Sequence, residues 1–507
     1  KGIEIKERNE LINVENKFKE LSGVSAIVYI QTCAAEKRRR RKRGKFPDPD
    51  KRIIINPAVC EGCGDCGIQS NCVSIVPVET KFGRKREIDQ SSCNKDFSCV
   101  KGFCPSFVTV EGGKLKKEVA KNFSIPKLPN PTLPEINGTY NIVITGIGGT
   151  GVVTIGALLA MASHLDNKGA GMMEMAGLAQ KGGAVSIHCR ISEKPEDINA
   201  IRVATGEADA VIGGDLVTTG GQKTLNLMQD GRTKAIVNEH ETITGDFTRD
   251  GKFSIPSDSL LLAISAKIGE RNLSYFDFSE ISRKMLADSI YANTMILGAA
   301  WQMGIVPLSK AALHKAIDLN GAYVEQNIQA FELGRLIIVD PSFMKDAVDK
   351  KFTNSPATSE SKLSNYFEHI EKYQDKNLVK KFKSVIGKIE DPELKDIVLQ
   401  SYHKVLTYKD EYEVARLHLD MVRNKIRSQF SEFKKLSFHL APPLFGGSGP
   451  DGRPVKREFG SWVLIVFKVL AALKFLRKTR FLINCVFLPA CIPSSTSLAK
   501  ELAVLKT

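Results

Sequence analysis

The stretch Cys60-Glu-Gly-Cys-Gly-Asp-Cys66 places three cysteines at two-residue spacing, and the pair Cys104-Pro105 follows later in the same segment. Three thiolates from one tight loop and a fourth from a distant Cys-Pro pair are the ligand pattern of a bacterial [4Fe–4S] cluster. The glycines between the cysteines allow the backbone to turn sharply and to point its amides at the sulfurs. We therefore predict one cluster bound by four thiolates, those of Cys60, Cys63, Cys66 and Cys104.

Three further cysteines of this segment, Cys72, Cys93 and Cys99, are one short of an all-cysteine second cluster. They leave open a site with a non-cysteine ligand, a three-iron cluster, or no second cluster. Zinc is the main competing metal, although structural zinc sites usually pair their cysteines in two separated hairpins. Disulfides are the remaining alternative, and the odd number of clustered cysteines argues against them.

The composition is that of a globular protein with a basic charge balance. The chain has 507 residues, 42% of them hydrophobic, and a formal net charge of +15. Length alone predicts about three domains. The basic residues are not interleaved with aromatics, which disfavours nucleic acid, and an acidic protein such as a small electron carrier fits the charge. The most apolar run, Trp462 to Leu476, contains two lysines, so we predict a core helix there and no membrane segment.

The first 45 residues are predicted to be the closing edge of a larger α/β domain that lies upstream. They contain a polar helical stretch, Leu11 to Leu21, and the strand-like Val24 to Ile30, which cannot bury a core by themselves. The basic run Lys37 to Arg43 follows, and a proline-bearing linker leads to the cysteines. In isolation such a run suggests nuclear localisation or nucleic-acid binding. Before a cysteine motif we interpret it as a solvated or interface-lining connector.

A glycine-rich turn opens the next domain after a proline-rich linker at 126–139. A buried strand is predicted at Asn141 to Thr145, the turn Gly146-Ile-Gly-Gly-Thr-Gly151 follows, and a helix begins at Val152. Glycines at this spacing either receive a nucleotide phosphate at the helix N-terminus or simply allow the helix to pack closely on the strand. The acidic residue that a dinucleotide site needs is not clear, because Glu174 lies in a stretch that we predict to be a loop. The candidate cofactor-binding residues are Gly146, Gly148, Gly151, Gln180, Gly182 and Gly183.

The remainder of the chain predicts an α/β multidomain protein. Residues 140–340 alternate strand and helix signals, including a helix at Asp288–Gln302, which predicts a Rossmann-like, mostly parallel sheet covered on both faces. His188 and Cys189 are interpreted as core residues of one strand. From Pro341 a helical C-terminal domain with an irregular tail is predicted, its histidines scattered singly and its helices at 363–372, 377–386, 392–401 and 411–430. Residues 46–125 would form the ferredoxin-like iron–sulfur segment.

Several stretches together resemble the single-chain indolepyruvate ferredoxin oxidoreductases of bacteria, a branch of the 2-oxoacid:ferredoxin oxidoreductases. The resemblance covers residues 24 to about 476 and ends before the tail that follows Lys478. The matching stretches are Gln31–Lys37 with the basic run, Cys60–Cys66, Ile88–Phe107, Gly146–Val152, Gln180–Gly183, Glu325 with Asn327 and Gly334-Arg335, and Phe438–Pro443.

The resemblance implies that residues 140–335 form the gamma-type domain, which in this family shares the glycine-rich turn without serving as an NAD site. It implies oxidative decarboxylation of an aryl 2-oxoacid on thiamine diphosphate with Mg²⁺, and transfer of the acyl group to coenzyme A as a substrate. Electrons would pass through iron–sulfur clusters to ferredoxin. A cytoplasmic homo-oligomer that binds neither nucleic acid nor membrane is the corresponding expectation.

One departure from the family concerns the reaction centre. The thiamine-diphosphate motif GDG…N is missing, because Gly214-Asp215 and Gly245-Asp246 lack the following glycine. We therefore expect the thiamine-binding domains of the same enzyme before residue 1 and no catalytic residue in this chain. The chain would be an oxidoreductase part that carries the electron relay and is inactive alone. Two alternatives stay open: a free-standing ferredoxin-like carrier or scaffold subunit, and a nucleotide-dependent iron–sulfur reductase.

Overall fold

The computed structural model describes residues 4–116, 125–148, 151–176, 183–242, 247, 250, 253–342, 359–442, 447 and 455–478. The chain divides into two units, residues 1–48 and residues 49–507. Among the described helices, none has both the length and the apolar character that crossing a bilayer requires. The tail after Lys478, predicted to be irregular, lies outside the described residues.

The first unit is made of short helices at Arg8–Glu10, Leu11–Lys19 and Ala34–Lys42. The prediction of a strand at Val24 to Ile30 is wrong, because these residues have no regular structure and most of their large apolar side chains are exposed. A strand needs a paired neighbour and a buried face, and the run has neither. The basic run forms most of the helix Ala34–Lys42, since lysine and arginine are good helix formers and Glu36 pairs with two arginines.

A four-stranded antiparallel sheet carries the cysteine segment. Its strands are, in spatial order, Lys51–Ile55, Phe107–Glu111, Lys435–Leu440 and Arg457–Phe459. Half of the sheet therefore comes from the C-terminal part of the chain. Between its first two strands lie the helix Asp65–Ser70, the hairpin Ile75–Thr80 with Gly83–Ile88, and the 3-10 helix Ser98–Lys101.

The four-stranded sheet is buried on two faces, because successive side chains of a strand point to opposite sides. Ile53 and Ile55 pack with the cysteines on one face. Ile54 and Phe438 pack on the other face against two helices, Glu411–Met421 and Val463–Ala472. The sheet therefore separates the cysteines from the C-terminal helices.

A six-stranded sheet forms the centre of the chain. Its strands are, in spatial order, Leu273–Phe276, Lys234–Asn238, Ala210–Gly213, Thr139–Ile147, Ala184–Ser192 and Gly169–Ala176. The first four are parallel, which confirms the predicted parallel sheet, whereas the last two form an antiparallel hairpin. The prediction of a loop around Glu174 is wrong, because pairing along the whole strand Ala184–Ser192 overrides the local glycines.

Helices cover this sheet and bury apolar clusters on both of its faces. They span Val152–Leu165, Leu216–Thr219, Gln222–Leu225, Ser257–Ile268, Phe278–Leu286, Ala292–Gln302, Lys310–Asn320 and Val324–Val339. The helix predicted from Asp288 begins at Ala292, because Asp288 instead caps a separate 3-10 turn. His188 and Cys189 are buried in the sheet, as predicted.

The helical C-terminal region is confirmed, with helices Ser359–Tyr373, Lys376–Ile386 and Pro392–Leu406. The helix predicted as far as Phe430 is interrupted. It passes through a π turn at Val422–Ile426 and the short helix Arg427–Gln429 into the strand Phe430–Glu432. That strand pairs with Lys114–Leu115 at the end of the cysteine segment, and this long-range pairing had no local sequence signal.

Candidate metal centre

The structure gathers the seven clustered cysteines into two neighbouring groups. Burial raises the pKa of the Cys66 thiol to about 12, and three nearby sulfurs add to the shift, those of Cys104, Cys60 and Cys63. Burial also raises the pKa of Cys99, whose main sulfur neighbours are instead Cys93 and Cys72. The four cysteines predicted for one cluster therefore lie together, and the three left over form a second group beside them. Their role as ligands stays a prediction.

The loop of the first group is shaped by glycines and directs amides at sulfur. Gly62 and Gly64 have φ values of 73° and 82°, which favour glycine. A Cβ at Gly62 would also clash with the carbonyl oxygen of Arg84. The Gly62 amide donates to the Cys60 Sγ at 3.3 Å. Hydrogen bonds of this kind stabilise a thiolate, so this amide would support Cys60 if it bound a metal.

The distant ligand Cys104 is fixed to this loop by its neighbours. The Phe103 amide donates to the Asp65 carboxylate at 2.9 Å. Gly102 packs so closely on Cys66 that a Cβ would lie 3.0 Å from its Cα. The Ser106 hydroxyl lies 3.0 Å from the Cys104 sulfur. The segments that contain Cys66 and Cys104 are therefore joined by a hydrogen bond and by close packing of their own residues.

The donor set fits an iron–sulfur cluster. Cys60, Cys66 and Cys104 are buried free thiols, and Cys63 is an exposed free thiol. In the described part of the chain, no three His, Cys, Asp or Glu side chains are arranged to hold a single metal ion. In a cubane cluster each thiolate binds a different iron, so the four sulfurs surround the cluster instead of converging on one point. The exposed Cys63 marks the edge of the centre that faces solvent.

A lysine from the C-terminal region contacts the backbone beside Cys104. Lys456 Nζ donates to the carbonyl oxygen of Gly102 and, at 3.2 Å, to that of Cys104. It also lies 4.4 Å from the centre of the Phe107 ring. Burial lowers the pKa of Lys456 to about 8, and negative charge on the neighbouring sulfurs and on the Asp65 carboxylate opposes that shift. Sequence analysis missed this residue, which stands in no motif.

A second lysine occupies the corresponding place beside Cys60. Lys409 Nζ donates to the carbonyl oxygens of Val59 and Cys60 at 3.3 and 3.2 Å. It also pairs with the Glu61 carboxylate at 2.6 Å. Near it, His418 Nε2 donates to the Pro105 carbonyl oxygen at 3.0 Å. The carbonyls on both ligand segments therefore receive hydrogen bonds from the C-terminal region.

The glycine-rich turn lies at the carboxyl end of the strand Thr139–Ile147, as predicted. Gly151 has a φ of 97° and precedes the helix Val152–Leu165. The Gly148 amide donates to the Gly183 carbonyl oxygen at 2.8 Å. A Cβ at Gly146 would clash with the side chain of Val152, which supports a packing role for that glycine. Of the other candidate residues, Gln180 and Gly182 lie outside the described residues.

A buried carboxylate lies at the same edge of the six-stranded sheet. Asp215 Oδ1 accepts from the Thr218 amide at 2.8 Å and so caps the short helix Leu216–Thr219. Its Oδ2 is buried and has no hydrogen-bond partner among the described residues. Burial raises the pKa of Asp215. The backbone amides of Thr218 and Val217 oppose that rise.

Two histidines that are scattered singly in the sequence, His369 and His403, form a pair in the structure. His369 Nδ1 lies 3.0 Å from His403 Nε2, and His369 Nε2 lies 3.2 Å from the Glu413 carboxylate. The Phe82 ring at the tip of the cysteine-segment hairpin stacks on His403 at 5.1 Å. Burial lowers the pKa of His403 to about 3. This network joins the helical region to the cysteine segment. Among the described residues, it is not part of any group of three side chains that could hold a metal ion.

Comparison with known proteins covers two parts of the chain. Residues 141–337 match the pyruvate ferredoxin/flavodoxin oxidoreductase family, and residues 360–483 match DUF6537, a family of unknown function. Indolepyruvate oxidoreductase subunit IorB of Methanothermobacter thermautotrophicus is 25% identical over 197 residues, which are 38% of this chain and 95% of that subunit. The same subunit of Thermococcus kodakarensis is 25% identical over 198 residues, 38% of this chain and 94% of the relative.

Among solved structures, the gamma subunit of a keto/oxoacid ferredoxin oxidoreductase from Geobacter sulfurreducens is similar. It has 23% identity and a TM-score of 0.28, and the match covers 39% of this chain and 98% of that one. The family match at residues 141–337 and the alignments with the IorB subunits confirm, for the central part of the chain, the resemblance stated from the sequence. Residues 141–337 are therefore homologous to part of the pyruvate ferredoxin/flavodoxin oxidoreductases, an oxidoreductase family.

Proposed function

We propose that this chain is the electron-transfer and gamma-type part of an indolepyruvate or other aryl 2-oxoacid:ferredoxin oxidoreductase. The observation that carries the proposal is the grouping of Cys60, Cys63, Cys66 and Cys104 in the chain that also contains the gamma-type homology region. Neither feature alone would be sufficient. A glycine-rich α/β domain has many uses, and a cysteine loop can serve many redox proteins.

In this proposal the chain's own residues bind and orient the relay. The four thiolates hold a [4Fe–4S] cluster, and the amide of Gly62 and its neighbours stabilise their charge. When bound, such a cluster accepts and releases single electrons. The second cysteine group, Cys72, Cys93 and Cys99, lies next to Cys66 and is proposed as part of a second relay site whose remaining ligand is open.

The partners follow from the same proposal. Thiamine-binding domains, with thiamine diphosphate and Mg²⁺, would carry out the decarboxylation, and coenzyme A would accept the acyl group. Ferredoxin would dock near the exposed Cys63, where the bound cluster comes closest to solvent. The net charge of +15 would steer such an acidic carrier at low ionic strength. Cytoplasmic location and a homo-oligomeric state belong to the same proposal.

The test is a comparison of two cysteine variants after anaerobic purification. Cys63→Ser removes one proposed ligand, and Cys33→Ser is the matched control because Cys33 is an exposed cysteine outside both groups. We expect iron and acid-labile sulfide in the wild type and in the control, with a low-temperature EPR signal after reduction. Cys63→Ser should lose that signal and fail to reduce viologen in the complete enzyme. A wild-type protein without iron, or a variant with unchanged EPR, would reject the relay.

A subunit arrangement is the second candidate. The archaeal IorB subunits align with this chain over nearly their whole length, so in those proteins the homologous region is a separate chain. If the present chain works in that way, it should co-purify with a separate thiamine-binding chain. If no thiamine-binding chain co-purifies with it, the result favours a single long enzyme.

A further inference from the structure

The part of the chain that matches a family of unknown function supplies two cations to the proposed cluster site. Lys409 hydrogen-bonds to the carbonyls of Val59 and Cys60, and Lys456 to those of Gly102 and Cys104. One cation therefore lies at each end of the ligand set, on the backbone of its first and last cysteine. Both lysines lie within residues 360–483.

We propose that Lys409 and Lys456 form an electrostatic clamp: each fixes one of the two ligand segments to the C-terminal region, and their charge raises the reduction potential of the cluster that the segments bind. The inference rests on the proposed function, since it requires a cluster at this site. It goes further because it assigns a redox-tuning role to a region for which no role is known. Both lysines are positioning residues that act through the cysteine backbone.

The position of Lys456 makes it the stronger member of the clamp. Its electrostatic neighbours include Cys104 and Cys66 from the first cysteine group and Cys99 from the second. A reduced cluster carries one more negative charge than the oxidised cluster, so a nearby buried cation stabilises the reduced form. Because both groups are in range, Lys456 would favour electron arrival at either of them.

Lys409 differs from Lys456 in its counter-ion. The Glu61 carboxylate lies 2.6 Å from Lys409 Nζ and offsets part of its charge, although it also lies 3.7 Å from Lys85 Nζ. In the described part of the chain, Lys456 forms no ion pair at salt-bridge distance, although the Asp65 carboxylate is one of its electrostatic neighbours. We therefore expect Lys456 to affect the potential more than Lys409 does, while both stabilise the loops through their hydrogen bonds.

The surrounding fold holds both lysines in place. Lys456 immediately precedes the strand Arg457–Phe459, which pairs with Lys435–Leu440 in the four-stranded sheet. Lys409 lies just before the helix Glu411–Met421, which packs on the same sheet. A cation held on such elements loses little conformational freedom when the cluster binds, so its charge acts on the site at full strength.

The experiment compares lysine variants of the full chain, purified anaerobically with its cluster. Lys456→Gln removes the charge, Lys456→Arg keeps it, and Lys409→Gln tests the weaker member. Lys434→Gln is the control, because Lys434 is an exposed lysine of the same region that pairs with Asp50 at 3.2 Å. Iron and sulfide contents are measured first, followed by the midpoint potential in an EPR-monitored redox titration.

We expect Lys456→Gln to raise the ratio of oxidised to reduced cluster at a fixed potential about tenfold, equivalent to about 59 mV for one electron. Lys456→Arg and Lys434→Gln should stay close to the wild type, and Lys409→Gln should shift less than Lys456→Gln. A wild-type potential in Lys456→Gln with full iron content would overturn the clamp and leave the cluster assignment intact. A wild type without iron would instead reject the proposed function.

If Lys456→Gln loses its iron, the arginine variant shows whether the missing charge is the cause. If Lys456→Arg retains its iron and a near wild-type potential, the cation itself is needed and the clamp is supported. If Lys456→Arg also loses its iron, the lysine only fills space beside Gly102, and the electrostatic role is overturned.

Discussion

The two large sheets of residues 49–478 are assembled from the chain in different ways. All strands of the six-stranded sheet come from one continuous stretch, residues 139–276. The four-stranded sheet combines two strands of the cysteine segment with two strands from residues 435–459. The first sheet is therefore local, whereas the second is completed only when the C-terminal region arrives. The proposed metal centre lies on the four-stranded sheet, which needs strands from a distant part of the sequence to be complete.

The largest expected effect is on stability and iron content, and a matched pair of phenylalanines, one at each sheet, would show it. Phe438 in the four-stranded sheet and Phe331 beside the six-stranded sheet are both fully buried, each between two other rings. Replacement of either by alanine should lower the free energy of unfolding by about 3–5 kcal/mol, because each leaves a cavity. Only Phe438→Ala should also lower the iron content, since only Phe438 supports the sheet beneath the cysteines.

Chemical denaturation and iron analysis of both variants check this prediction. Equal iron contents at equal loss of stability would show that the cysteine segment does not depend on the C-terminal strands. The difference between the two sheets would then be one of connectivity alone.

Local sequence was sufficient for the parts of both regions that are built from neighbouring residues. The cysteine spacing predicted which four thiols lie together, and the strand predicted at Asn141 to Thr145 and the helix predicted from Val152 were located correctly. Each of these features is determined within about a dozen residues by backbone freedom at glycine and by apolar periodicity.

Pairing between residues far apart in the sequence could not be predicted from local sequence patterns. The strands Lys435–Leu440 and Arg457–Phe459, the cations Lys409 and Lys456, and the pair of His369 with His403 gain their roles only from residues far away in sequence. The hairpin strand around Glu174 was missed for the same reason, since its partner strand and not its own glycine-rich composition determines it. Val24 to Ile30 shows the converse, because strand-like composition without a partner forms no strand.

A smaller effect concerns acid sensitivity, which should differ between the two regions. Burial lowers the pKa of His403 to about 3 and that of His439 to about 4, from an ordinary value of 6.5. The unfolded chain therefore binds protons at these sites below about pH 6.5 while the folded chain does not, so stability falls as the pH decreases. Between pH 7 and pH 5 the loss should be about 1–2 kcal/mol for each histidine.

Hydrogen exchange measured at pH 7 and pH 5 would localise this loss. Amides of the strand Lys435–Leu440 and of the helix Pro392–Leu406 should lose protection before those of Thr139–Ile147. Near the six-stranded sheet, burial also lowers the pKa of His188, so a modest change is expected there. A uniform loss across both sheets would remove the proposed difference in acid sensitivity.

The smallest expected effect concerns the unpaired carboxylate of the six-stranded sheet. Near the four-stranded sheet, buried polar groups find distant partners, as Thr109 does with His439 at 2.7 Å. Asp215 has no such partner for Oδ2 among the described residues, and burial raises its pKa. The charged carboxylate therefore destabilises the folded protein, and this loss of stability grows as the pH rises through the pKa.

Asp215→Asn keeps the oxygen that caps the helix and removes the charge. It should raise the free energy of unfolding at pH 7 by less than the about 1 kcal/mol of a typical hydrogen bond, and the gain should shrink at pH 5. Urea denaturation at both pH values measures this, and a variant less stable than the wild type at pH 7 would show that the charge is compensated in the folded protein after all.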